Sequence, residues 1–259
     1  MSPDPAPAER DLPAPAAPAL PPRAVLRNEV WLVLGLSLLA SAAYAVVSIL
    51  EAPIRGRTVG LFGDVSLIRQ LLPIAFDLVP VLLVFHLLHR SGERASDLGF
   101  DARRPGRDLA QGAVLFALVG LAGLALYAAA VGLGLNRNVV PAPPGHHWWA
   151  IPVVILGSAR SALLEEVIVG SYLLHRLDQL GWRPNRALLA SSLLRGSYHL
   201  YQGFGGFIGN FALGLLFGRV YQRRGRVMPL VVAHFLLDLA AGLGWMALRG
   251  RVSWLPGQG

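Results

Sequence analysis

Long apolar runs dominate the chain from residue 28 onward, broken by short stretches rich in arginine, proline and glycine. About 20 mostly apolar residues in helical form cross a hydrocarbon core of about 30 Å. By that measure the pattern predicts helices near 30–50, 67–88, 109–134, 149–175, 186–202, 206–222 and 227–248. Turn-forming residues fill the gaps, as in GWRPN at 181–185 and GRVMP at 225–229. Residues 1–27 are Pro/Ala-rich, carry no apolar signal segment and are expected to be a disordered tail. The expected fold is all-α: a polytopic transmembrane bundle of about seven helices, with one integral membrane domain over 28–259.

Composition strengthens this reading. The chain is 54% hydrophobic and 15% charged, with mean hydropathy +0.52. It has no cysteine, which excludes disulfides, thiolate metal sites and a cysteine nucleophile. All 23 basic residues are arginine, and with abundant Ala, Gly and Pro the composition reads as bacterial. The net charge of +8 does not point to nucleic acid, because the arginines cluster in short loops beside apolar spans. Fifteen fall on the tail and on the second, fourth and sixth loops, against six on the other side. Cytoplasmic loops are the arginine-rich ones, so the expected placement is a multi-pass plasma-membrane protein with its N-terminus in the cytoplasm and its C-terminus outside.

Against this apolar background a few ionisable residues stand inside spans: Glu165 and Glu166, Arg195 and His199, and His234 with Asp238. Charge at membrane depth is costly, so its default meaning is function. Counted from the arginines at the helix ends at about 1.5 Å per residue, Glu165 lies about 16 Å deep, His199 about 20 Å, His234 about 12 Å and Asp238 about 18 Å. Residues on separate helices therefore share one layer. Asp77, about 20 Å from Arg90, joins it, near Pro80, as a structural or channel-lining residue.

In their order and spacing these residues resemble the CAAX prenyl endopeptidase and bacteriocin-processing (CPBP) intramembrane proteases. That family carries a Glu-Glu motif (EExxxR), a second motif ending in His (FxxxH) and a third of the form HxxxN or HxxxD. Here they correspond to Glu165-Glu166, His199 and His234 with Asp238, within a motif core at 145–245. The resemblance implies an intramembrane glutamic endopeptidase acting on a membrane-associated peptide or protein. Glu165 would be the general base, His199 the residue that positions the water, and His234 the oxyanion side. An ionised Asp only accepts hydrogen bonds, so Asp238 is expected to orient His234, one turn away on the same face.

Two departures stand out. Gly170 occupies the motif arginine position, and Arg195 the motif phenylalanine position. Arg195 is expected level with Glu166, supplying the cation that Gly170 cannot.

Other readings of the same residues are a Zn²⁺ site of Glu165, His199 and His234, a purely structural polar layer, an ion- or proton-coupled transporter, and a non-proteolytic accessory or immunity protein of the same family. Asn210 is expected to line the cavity and Tyr198 to hydrogen-bond across helices. Arg160 receives no role, and His89, His146, His147 and His175 are expected at the interface. GFGGFIGN at 203–210 reads as a small-residue packing surface.

Overall fold

The computed structural model describes residues 20–38, 67–133, 148–248 and 251. The expected tail to residue 19, residues 39–50 of the first span, and His146 and His147 lie outside them. Helix α1 (Arg23–Leu36) begins inside the stretch expected to be disordered. Pro22, at φ −51°, is preset for the first turn and has no N–H to leave unbonded. Helices α2 (Leu67–Phe76) and α3 (Val79–Arg90) replace one expected span. They part at the turn Asp77-Leu78, where Pro80 removes a backbone donor. Helix α4 (Pro105–Gly132) follows.

Helix α5 (Ala150–Glu165) runs without interruption into a π-helical stretch, Glu166–Tyr172, and on into α6 (Leu173–Gln179). The hairpin of α7 (Pro184–Tyr198) and α8 (Phe204–Arg224) and then α9 (Met228–Leu248) complete the described chain. Helix α7 stops short of the expected residue 202. After Tyr198 the backbone leaves helical geometry at His199 (φ −97°, ψ 3°) and makes a 3₁₀ turn over Leu200–Gln202. It then reverses through Gly203 at φ 94°, a conformation open to glycine. Fifteen residues give α7 a length of about 22 Å, so it ends within the depth of a bilayer.

All regular structure among the described residues is helical, and the protein is a membrane protein. Pro105–Tyr127, Phe204–Arg224 and Met228–Leu248 are long and apolar enough to cross a membrane. Leu109, Leu118, Leu121 and Leu124 of α4 remain exposed, as side chains facing lipid would. Close packing uses absent side chains. A Cβ on Gly214 would lie 2.9 Å from the Cα of Ser192, and one on Gly112 would lie 2.5 Å from Val232 Cγ1. These glycines let α8 approach α7 and α4 approach α9, as small residues do between membrane helices. Val167, Ile168, Phe217, Leu230 and Ala233 fill the centre.

At the arginine-rich end, ion pairs join loops to helices. Arg226 Nε donates to Asp108 Oδ1 at 2.6 Å, and its Nη1 to Asp101 Oδ2 at 3.0 Å. The hydrogen bond from Arg226 holds the Asp101 carboxyl below its ordinary range. Arg176 is fully buried. It donates to Glu93, to Gln179 Oε1 at 2.6 Å and to Ser91 Oγ at 3.3 Å, and lies 3.5 Å from Glu29. His175, expected at the interface, has Nε2 2.6 Å from Glu93 Oε1. This cluster ties α1 and the loop after α3 to α6.

Candidate functional site

Three segments converge in the bundle: the junction of α5 with the π stretch, the last turn of α7, and α9. Glu165 ends α5 and Glu166 opens the π stretch. Single π turns inside helices occur frequently at functional sites, and here both carboxylates meet Arg195. Arg195 Nη1 lies 2.8 Å from Glu166 Oε1, and its Nη2 lies 3.3 Å from Glu165 Oε2. The guanidinium also stands 5.7 Å over the Phe217 ring, a cation–π contact. Gly170 matters at close range, because a Cβ there would lie 2.5 Å from Glu166 Oε2. With the motif arginine absent, the second glutamate bends over its own turn and takes its cation from α7.

Hydrogen-bond geometry fixes how the imidazoles are presented. His199 Nδ1 lies 3.0 Å from the Arg195 carbonyl oxygen. A carbonyl only accepts, so Nδ1 carries the proton and Nε2 of the neutral ring keeps its lone pair. That Nε2 lies 3.8 Å from Glu165 Oε1, too far for a direct bond. On the opposite side of the same carboxylate, Tyr198 donates to Glu165 Oε2 at 2.8 Å. His234 Nδ1 lies 2.7 Å from Glu166 Oε1. With Nδ1–H donating there, the 3.2 Å approach of Arg195 Nη2 is a contact and not a second hydrogen bond. His234 Nε2 faces Asp238 Oδ2 more loosely, at 3.5 Å. The Asp238 side chain is 38% exposed while that of Glu166 is wholly buried. Glu166, more than Asp238, therefore sets the His234 ring, and Asp238 stands at the open rim.

Of the residues expected from the sequence, the structure brings together Glu165, Glu166, Arg195, His199 and His234, with Asp238 beside them. It does not bring in Asn210, whose amide donates to the Gly206 carbonyl one turn back on α8 at 3.0 Å. Asp77 accepts from Arg160 at 2.7 Å, which gives Arg160 a partner that the sequence did not name. Tyr198 makes the expected cross-helix bond, but its partner, Glu165, was not foreseen. Its position three residues after Arg195, on the same helix face, was the available signal.

The donor set does not suit Zn²⁺. Glu166 takes one nitrogen of His234, the cation Arg195 lies against both carboxylates, and no three His, Asp or Glu groups among the described residues converge as metal ligands.

Comparison with known proteins agrees with the motifs. Residues 147–240 match the family model described as type II CAAX prenyl endopeptidase Rce1-like. No curated protein and no solved structure matches the chain. The matched segment holds every residue of the cluster, and over residues 147–240 this membrane protein is similar to the Rce1-like endopeptidases, in line with its CPBP-type motifs.

Proposed function

We propose that the protein is an intramembrane endopeptidase that hydrolyses a peptide bond in a membrane-associated protein or peptide with a water held between Glu165 and His199. The match to a protease family supports proteolysis in general. The observation that carries the specific reading is the 3.8 Å separation of Glu165 Oε1 and His199 Nε2. Both atoms are acceptors, and each group is anchored on its far side, Glu165 by Tyr198 and His199 by the Arg195 carbonyl. One water can donate a proton to each, which turns its oxygen lone pair outward as a nucleophile.

That oxygen attacks the peptide carbonyl carbon, and Glu165 Oε1 takes the water proton. His234, protonated at both nitrogens, donates Nδ1–H to Glu166 and offers Nε2–H to the carbonyl oxygen as it becomes an oxyanion. Two glutamates, Arg195 and an imidazolium make the buried cluster neutral, as a low-polarity setting favours. Collapse of the adduct breaks the C–N bond, and the proton on Glu165 passes to the leaving amine. Glu165, His199 and His234 touch the reacting atoms. Arg195, Glu166 and Asp238 position them.

The arginine distribution supports a plasma-membrane protein with the N-terminus inside and a substrate entering from the cytoplasmic half. The test compares membrane peptidomes of cells carrying wild-type or Glu165→Gln protein. Fragments present only with the wild type are expected. Identical peptidomes with equal amounts of folded protein would overturn the proteolytic reading and favour a non-proteolytic accessory role.

A further inference from the structure

The proposed reaction needs one particular oxygen of Glu165 to face the water, yet a carboxylate at the end of two methylene groups can rotate and exchange its oxygens. Arg195 Nη2 alone, at 3.3 Å from Oε2, is a weak restraint on that rotation. The Tyr198 hydroxyl lies closer, at 2.8 Å from the same oxygen, and the bond is buried. Tyr198 sits on the last turn of α7 beside His199, and the two rings are 4.7 Å apart, tilted by 40°. Bulk on one side and a hydrogen bond on the other thus belong to a single residue in contact with both water-holding groups.

We infer that Tyr198 is a positioning residue of the hydrolytic site. Its hydroxyl ties down Glu165 Oε2, leaving Oε1 as the basic oxygen aimed at the gap in front of His199 Nε2. A phenol is suited to this in a buried place. It carries no charge to neutralise, its ring moves about only two torsions, and its O–H gives Glu165 a hydrogen bond beside the looser ion pair with Arg195. The site thereby separates the two oxygens of one carboxylate, one anchored and one reactive. This inference rests on the proteolytic reading above, and its test is arranged so that the two can fail separately.

The substrates are membrane peptides found cut by wild-type but not Glu165→Gln protein, assayed with purified enzyme in detergent. Tyr198→Phe keeps the ring and removes the hydroxyl. Its kcat per folded molecule should fall about 10- to 100-fold, the range expected when a reacting group loses its alignment, with KM changed less than about twofold. Glu165→Asp is too short to span Tyr198 and the water together, so adding Tyr198→Phe to it should cost less than about threefold more. Equal kcat for Tyr198→Phe and wild type, with only thermal stability lowered, would overturn the positioning role and leave the protease standing. A full 10-fold loss in the Glu165→Asp background would show that Tyr198 acts through something other than Glu165, and would also overturn it. Peptidomes unaltered by Glu165→Gln would remove both proposals.

Discussion

Two ion clusters are built into this bundle from similar parts, and they differ in what they leave open. The one at the arginine-rich end joins Arg176, His175 and Gln179 of α6 to Glu93 and Glu29. The one inside the bundle joins Arg195 and His199 of α7, and His234 of α9, to Glu165 and Glu166. Glu93 is taken up by three side chains from the same helix, on both of its oxygens. Glu165 is anchored at Oε2, while Oε1 and His199 Nε2 stand 3.8 Å apart with no direct bond between them. Engaging both oxygens of Glu93 against protein makes a brace. Leaving two acceptors facing each other across a gap makes a place for water. Composition alone does not separate the two cases, since each has a pair of glutamates, an arginine and at least one histidine.

The largest effect is expected where the inner cluster loses its cation. Arg195→Ala leaves two carboxylates without their shared partner, and breaking a buried pair by removing one member costs about 3–5 kcal/mol. Both folded yield and peptide cleavage should collapse. Combining Arg195→Ala with Gly170→Arg returns a guanidinium close to Glu166 and should restore part of the cleavage. No recovery in a peptide assay would argue against an exchange of cation position between α7 and the Glu-Glu helix.

Arg176→Ala should weaken the fold by a similar amount, about 3–5 kcal/mol, but leave kcat per folded molecule within about twofold. Thermal melts beside the peptide assay separate the two quantities. If Arg176→Ala abolished turnover in protein shown to be folded, the division between brace and reaction site would be wrong.

A smaller effect concerns pH. Burial alone would raise the Glu93 carboxyl, but hydrogen bonds from His175 and Arg176 and the Arg176 charge hold it at about 2, below the ordinary 4.5. A depressed folded value stabilises the protein fully above pH 4.5, and this contribution fades as pH falls towards about 2. Melting temperature should therefore drop over that window in wild type and drop less in Glu93→Gln. Equal pH slopes for the two proteins would remove Glu93 from the brace. The smallest effect is expected for Asn210→Ala. Its amide bonds only within α8 in the structure, so cleavage should stay within about twofold of wild type; a large loss would put Asn210 on the substrate.

Much of the inner cluster was legible because it is written in residue types that apolar helices rarely carry. Glu165, Glu166, His199 and His234 stand out from the spans, and equal depth brought Arg195 level with Glu166. Asn210 gave the same kind of signal yet satisfies its own helix, because depth says nothing about which way a side chain turns. The brace was harder to read. Arg176 and His175 lie where interfacial residues belong, and only the fold of the loop after α3 carries Glu93 to them. Nor does hydrophobic periodicity mark the break at His199, which depends on the reversal at Gly203, or the change of winding after Glu165.

That change of winding bears on what the rod tolerates. Removing one residue between Val167 and Ser171 would let it relax to ordinary α-helical register. The tighter turn of the remaining residues would offset most of the rotation lost with the deleted one, so Glu165 and α6 would keep nearly their relative facing. A single-codon deletion should therefore disturb this stretch less than the same deletion in an uninterrupted α-helix.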